Sequence, residues 1–319
     1  MTPSCYPPRQ TLRLRFRRAM RDRNSWELLL LMLPNLAAVL ALHWLPYFYG
    51  LALPFKAYRP IDGLWGSAWV GFKNFGWILK STQLMRALRN SFLYSLWFML
   101  WDKLVGVGIA VLCYNVTRRW ALKIYQTVIC LPMYFSMVIV GFITFAVLSP
   151  RYGLLNSLLG ALGLNPVNVY AQPGCWPVIL TLVNTWCTLG SGSLVYYALL
   201  MGVDQAQFEA AAIDGANHFQ MTLHVALPHL VPMICLSVIC SMGSLLGGGS
   251  YDLHYLISRD QSVLYKATDI LPMLNMRMLM DADYTRGAAS GLLFSLAHLI
   301  IIVSSNAVVR KVSPDNALW

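Results

Sequence analysis

The stretch LLLLMLPNLAAVLALHWL, residues 28–45, decides the fold. It contains no Asp, Glu, Lys or Arg, and its length approaches the roughly 20 mostly apolar residues a helix needs to cross the hydrocarbon core of a bilayer. The run is too long for the apolar core of a signal peptide, and no A-x-A cleavage site follows it, so it reads as an uncleaved first span. Just ahead of it stand Arg9, Arg13, Arg15, Arg17, Arg18, Arg21 and Arg23. Positive charge packed against a first span anchors that end in the cytoplasm. The other reading of such an arm, a nucleic-acid contact, finds no base- or phosphate-reading module after it.

Composition extends the same conclusion to the whole chain. Of 319 residues, 57% are hydrophobic and only 12% charged, and the mean hydropathy is +0.55, too apolar a balance to cover a soluble surface. The formal charge of +11 gathers at the N-terminus and in the connecting segments. Run length and flanks place six spans at about 27–48, 91–113, 124–148, 176–201, 230–249 and 288–309. Backbone groups in lipid must bond among themselves, so the class is all-α, a polytopic membrane protein with six transmembrane helices. An even number of spans puts both termini in the cytoplasm. Lys and Arg divide almost equally between the two sides, so the orientation rests on the arginine block next to the first span. One membrane domain, 27–309, lies between a basic N-terminal segment, 1–26, and a short tail, 310–319.

Cys113, Cys130, Cys187, Cys235 and Cys240 fall in or beside apolar runs without a C-x-x-C pair, which argues against a disulfide framework and a zinc site. No metal is expected. The segment 149–177, rich in Gly, Pro and Asn, reads as an outer loop with a short amphipathic piece around 154–164. Gly287 and Gly291 form a G-x-x-x-G that could seat a close helix crossing, although ordinary bundle packing explains it as well.

Between the fourth and fifth spans, residues 204–228 read DQAQFEAAAIDGANHFQMTLHVALP. Asp204 with Gln207 three residues on suggests a capping box, and the alanine-rich run after them has high helix propensity. Gly215 permits a left-handed turn. A second short helix from about residue 217 is expected to end near Pro228, where the ring starts a new direction. Small Ala210, Ala211 and Ala212 allow close approach by another protein, and Glu209 and Asp214 offer charge to a basic partner.

Glu209-Ala210-Ala211, three residues, Gly215, nine residues, then Val225-x-Leu227-Pro228 resembles the EAA motif of bacterial ABC importer permeases, with Val225 in place of the usual isoleucine. The resemblance implies a coupling helix that sits in a cleft of an ATPase subunit, with Glu209, Ala210, Ala211, Asp214, Gly215, Leu227 and Pro228 as its coupling residues. Leu33-Pro34, the stretch 65–75 (WGSAWVGFKNF) and the ending 309–319 (VRKVSPDNALW) are similar to the maltose-type branch that serves polygalacturonate, aldouronate and alginate oligosaccharides. Membership implies a second, homologous permease, two copies of an ATPase that binds ATP and Mg, a periplasmic or extracellular solute-binding protein, and an oligosaccharide cargo. The chain itself has no G-x-x-x-x-G-K-[ST], so it is expected to be neither an enzyme nor to hold a cofactor.

Aromatic rings offer flat apolar faces to sugars, which makes Trp186, Tyr196, Tyr197 and Tyr251 candidates for the substrate path, with Asn184 and Ser244 as hydrogen-bonding groups. The same aromatics serve equally as interfacial belt or packing. The glycine cluster 243–250 is read within the fifth span, either as tight packing or as a broken helix at the substrate cavity. Asp102 and Lys103 stand mid-span. A structural salt bridge within the bundle is the first reading of the pair, a place in the substrate path the second, with Lys103 suited to an acidic sugar. Lys56, Arg59, Arg151, Arg259 and Arg277 are expected to steer an anion toward the outer face. The cargo is read as an acidic oligosaccharide, with neutral oligosaccharide or polyol phosphate as alternatives. An ion-coupled secondary transporter would need inverted repeats and an intramembrane enzyme a matched catalytic set; neither is legible.

Overall fold

The computed structural model describes residues 23–312; the two segments outside them include most of the basic N-terminal stretch and the last residues of the tail. Contacts divide the chain into two compact units, up to Phe72 and from Lys73 onward. Among the described residues five helices are long and apolar enough to cross a membrane, or six if a bent pair counts as one span.

In the first unit, α1 (Arg23–Val39) passes through a π-turn (Leu40–Trp44) into α2 (Leu45–Ala52). Pro46 follows the π-turn by two residues, and its ring cannot donate to the carbonyl four residues back. Widening the preceding turn by one residue absorbs that mismatch without ending the helix. Beyond α2, Lys56 is buried, with Nζ donating to the Leu64 carbonyl at 2.6 Å and lying 5.6 Å from the centre of the Trp65 ring. It is spent inside its own loop and is not the free cation the sequence suggested.

In the second unit, α3 (Thr82–Tyr114) and α7 (Trp176–Leu200) pack along one another. The predicted third span is two helices, α4 (Arg119–Cys130) and α5 (Met137–Leu148), bent by 101°. Pro132 sits in the intervening turn, and Ser136 in extended conformation caps the new helix, its Oγ accepting from the Ile139 N–H, so the chain restarts in another direction. The amphipathic piece appears as α6 (Leu154–Ala161). Asn156 fixes the loop beyond it through Nδ2 to the Val167 carbonyl at 2.9 Å and Oδ1 from the Val167 N–H at 2.8 Å.

The coupling segment forms α8 (Gln205–Ile213) and α9 (His218–Met221), then a π-turn (Thr222–Ala226) and α10 (Leu227–Met242). The second short helix does not end at Pro228. It runs on into the fifth span, because a π-turn two residues before the proline again absorbs the missing bond, as at Pro46. The span stops at Met242, earlier than expected, so the glycine cluster lies after the helix. Gly248 (φ +73°) and Gly249 (φ +88°) take left-handed conformations there. A Cβ on Gly248 would lie 2.7 Å from Ile270 Cγ2, so the cluster is a break and a tight contact at once.

After the break come α11 (Tyr251–Ser258), α12 (Leu271–Met280) and the last span, α13 (Tyr284–Val312). Gly287 and Gly291 seat no close crossing: a Cβ on Gly287 would make ordinary contact at 3.6 Å and one on Gly291 would meet nothing. The buried residues at this contact are Ala289 and Ser290, and Ser290 Oγ lies 2.7 Å from Asn275 Oδ1. Asp269, fully buried, pairs with Arg86 at 2.9 Å and with Arg277, which also reaches Asp260 at 3.5 Å. Arg277 is therefore committed to structure, while Arg59, Arg151 and Arg259 are exposed. Nearby His254 donates from Nδ1 to the Thr268 carbonyl at 2.9 Å and is wholly buried against the Tyr94 ring. Burial pushes its pKa down to about 4 against the opposing pull of the Thr268 and Gly248 carbonyls.

Candidate functional site

The segment between the fourth and fifth spans is a pair of helices with an exposed outer surface. Asp204 caps α8 by accepting from the Ala206 N–H at 3.0 Å. The capping box predicted here is absent because Gln207 is engaged elsewhere: its Oε1 lies 2.9 Å from His229 Nε2, which ties α8 to the start of α10. The capping box belongs to the next helix, where Asn217 Oδ1 accepts from the Gln220 N–H and Gln220 Oε1 from the Asn217 N–H, both at 2.9 Å. Gly215 makes the turn between them at φ +80°. Glu209, Ala210, Asp214, Gly215 and Pro228 are exposed, Ala211 and Leu227 half-buried. Ile213 and Phe219, 87% and 74% exposed, add an apolar surface that the described residues leave uncovered.

The inner side of α8 is anchored differently. Phe208 lies against Tyr114 with the rings tilted and their centres 5.4 Å apart, and packs against a cluster of Ala110 of α3, Tyr196 and Leu200 of α7, and Ala226 and Leu230 at the foot of α10. The same three helices, nearer their middles, line an open-sided cavity of about 260 Å³ bordered by Asp102, Lys103, Thr185, Thr188, Tyr196 and Ser237 among others. A Cβ on Gly106 would touch the Tyr196 ring at 3.4 Å, and Tyr196 Oη lies 3.2 Å from Ser237 Oγ. Tyr196 thus belongs to the cluster by its ring and to the cavity by its hydroxyl.

Asp102 and Lys103 form no salt bridge among the described residues. Asn184 Nδ2 donates to both carboxylate oxygens of Asp102, at 3.1 and 3.2 Å, from the facing helix. Neighbouring positions on a helix point about 100° apart, so the two charges reach different parts of the wall of that cavity.

Of the residues expected in the substrate path, the structure brings Lys103 and Tyr196 to one cavity and places Asn184 behind Asp102. Trp186 faces away, 6.2 Å from the Phe135 ring. Tyr197 packs at the cluster, Tyr251 stacks on Tyr255 at 5.1 Å, and Ser244 Oγ donates to the Ser241 carbonyl at 3.0 Å in the glycine break. Thr185, Thr188, Ser191 and Gly192 are cavity residues that the sequence reading does not reach. Their three- and four-residue spacing along an apolar helix is a small polar stripe that would have marked the face. Trp101, which donates to Thr185 Oγ1 at 2.9 Å, escapes it as well.

Residues 105–316 match the family model described as "Binding-protein-dependent transport system inner membrane component". Protein LplB of Bacillus subtilis is 29% identical over 290 residues, 91% of this chain and 90% of that one. The polygalacturonan/rhamnogalacturonan transport system permease YteP of the same organism is 26% identical over 285 residues, 89% and 88%. A bacterial ABC transporter involved in the import of the acidic polysaccharide alginate superposes with a TM-score of 0.83 at 28% identity, covering 94% of this chain and 99% of that one. A second structure, of a bacterial alginate ABC transporter in complex with its alginate pentasaccharide-bound periplasmic protein, gives 0.81 at 28% identity, with 91% and 96% covered.

Proposed function

The chain belongs to the family of binding-protein-dependent transport system inner membrane components, as a sugar permease of the ABC importer type, and we propose that its cargo is an acidic oligosaccharide. On this reading it forms one half of a heterodimer with a homologous permease in the bacterial cytoplasmic membrane, with both termini inside. Two copies of a separate ATPase bind ATP and Mg and supply the energy. A solute-binding protein outside delivers the sugar.

The observation that carries the coupling is the Phe208 cluster. An ATPase cleft closing on the exposed faces of α8 and α9 would displace α8, and Phe208 would pass that displacement to the feet of α3, α7 and α10. Those are the helices whose middles line the cavity, about 12 Å farther along at 1.5 Å per residue. Glu209 and Asp214 supply charge for a basic rim, Ile213 and Phe219 the buried contact. The acidic cargo is supported by the polygalacturonan and alginate transporters among the similar proteins and by Lys103 at the cavity.

The test is ATP hydrolysis by the reconstituted complex with its binding protein, titrated with uronate oligosaccharides and with matched neutral ones. Stimulation by uronates is the expected result; stimulation by neutral sugars alone overturns the acidic cargo and leaves the coupling intact. Gly215→Pro tests the coupling itself. Proline requires φ near −65°, and the turn holds +80°, so the two helices would separate. We expect that variant to reach the membrane and lose at least tenfold in sugar-stimulated hydrolysis; a normal rate would rule out docking through this turn.

A further inference from the structure

Coupling through α8 requires no charge in the middle of the bundle, yet α3 carries two. Asp102 lies about 30 Å from the Thr82 end of the helix and about 18 Å from the Tyr114 end at 1.5 Å per residue. Each such charge is costly at a bilayer centre. A structural pair would offset that cost by closing on itself, and among the described residues neither Asp102 nor Lys103 has an opposite charge within 4 Å. An ionised carboxylate offers about four lone-pair sites. Asn184 supplies one shared donor to Asp102, and the Thr188 hydroxyl, 3.5 Å away, is already spent on the Asn184 carbonyl at 2.9 Å. The carboxylate is held in position with acceptor capacity left over, at the wall of a cavity.

That cavity, about 260 Å³, is smaller than the roughly 300–1,000 Å³ of ordinary small-ligand pockets, which matches one sugar ring rather than a chain. Its other polar lining is hydroxyl, from Thr185, Ser191, Tyr196 and Ser237. A uronic ring carries its vicinal hydroxyls and its carboxylate at opposite ends, and an acid and a base adjacent along a helix point to separate parts of a ligand.

We propose that this cavity is a one-ring subsite for a uronic sugar within the transport path. The Asp102 carboxylate, positioned by Asn184, accepts from ring hydroxyls, and the Lys103 ammonium meets the uronate carboxylate. The assignment rests on the acidic-cargo reading.

The experiment is uptake of labelled uronate trisaccharide and a matched neutral trisaccharide into proteoliposomes holding the complete complex and its binding protein. In Lys103→Met, uronate uptake should fall at least tenfold while the neutral-to-uronate ratio rises, and Lys103→Arg should restore most of the uptake. Gly192→Leu is an independent steric test, because Gly192 lines the cavity and a Cβ there meets no atom within 4 Å, so the added side chain starts in open space at the cavity wall. It should block uptake in an assembled complex, and it decides the matter alone if Lys103→Met does not assemble. An unchanged neutral-to-uronate ratio in Lys103→Met, or wild-type uptake by Gly192→Leu, would overturn the subsite. Failure of the wild-type complex to take up uronates, with neutral uptake intact, overturns the acidic-cargo reading instead and is read before any variant is made.

Discussion

Gly190 and Gly192 lie two positions apart on α7 in opposite circumstances. A Cβ on Gly190 would fall 2.7 Å from Cys130 Cα and 3.0 Å from the Ile129 carbonyl oxygen, backbone atoms of α4 that have no rotamer to yield. Gly190→Ala is therefore expected to destabilise by about 1–3 kcal/mol through overpacking. Gly192→Ala should be neutral, or stabilising by up to about 1 kcal/mol through helix propensity. Melting temperatures of the two detergent-solubilised variants check the contrast. Gly215 was legible from the sequence because its turn is local, between two segments of clear helix propensity. Gly190 was not, since its necessity comes from a crossing with a segment some 60 residues earlier in the chain.

Helices show where periodicity and punctuation mislead. The long apolar runs marked the spans, and α7 begins at the expected residue, because hydrophobic length is an intrinsic signal. From sequence, proline is a stop at Pro228, where a π-turn carries the helix through, and no obstacle at Pro132, where the span breaks. The difference lies on the C-terminal side of each ring: Ser136 provides a new cap, whereas an uninterrupted helix continues from Pro228. Phe208 belongs to this scale because it joins one element to three others. Truncating this half-buried ring costs roughly 1–3 kcal/mol of packing. Phe208→Ala should lower sugar-stimulated ATP hydrolysis about tenfold with the complex assembled, as measured in nanodiscs. Undiminished stimulation would remove the cluster from the coupling route.

For the molecule as a whole, acid should loosen the fold at His254. Its pKa is about 4 in the folded chain against 6.5 ordinarily, so between those values the unfolded chain takes up a proton that the folded one refuses. The contribution to stability is complete above about pH 6.5 and is lost as pH falls toward 4, by up to roughly 3 kcal/mol. Thermal melts between pH 7 and 5 should show a steeper decline for the wild type than for His254→Gln; parallel curves would show that another group governs the loss. The pair Asp102 and Lys103 was visible in the sequence as an anomaly, but its environment was not, because Asn184 meets Asp102 only once α3 and α7 are packed.

Tyr196 has its ring in the Phe208 cluster and its hydroxyl on Ser237 at the cavity, and α3 runs as continuous helix past both. In a machine this would be a linkage without backlash. Under the coupling we propose, α3 and α7 have no break between the cluster and the cavity at which a stroke could be taken up, so a stroke that moves α8 would reshape the chamber, and a chamber held open by a bound ring would resist the stroke.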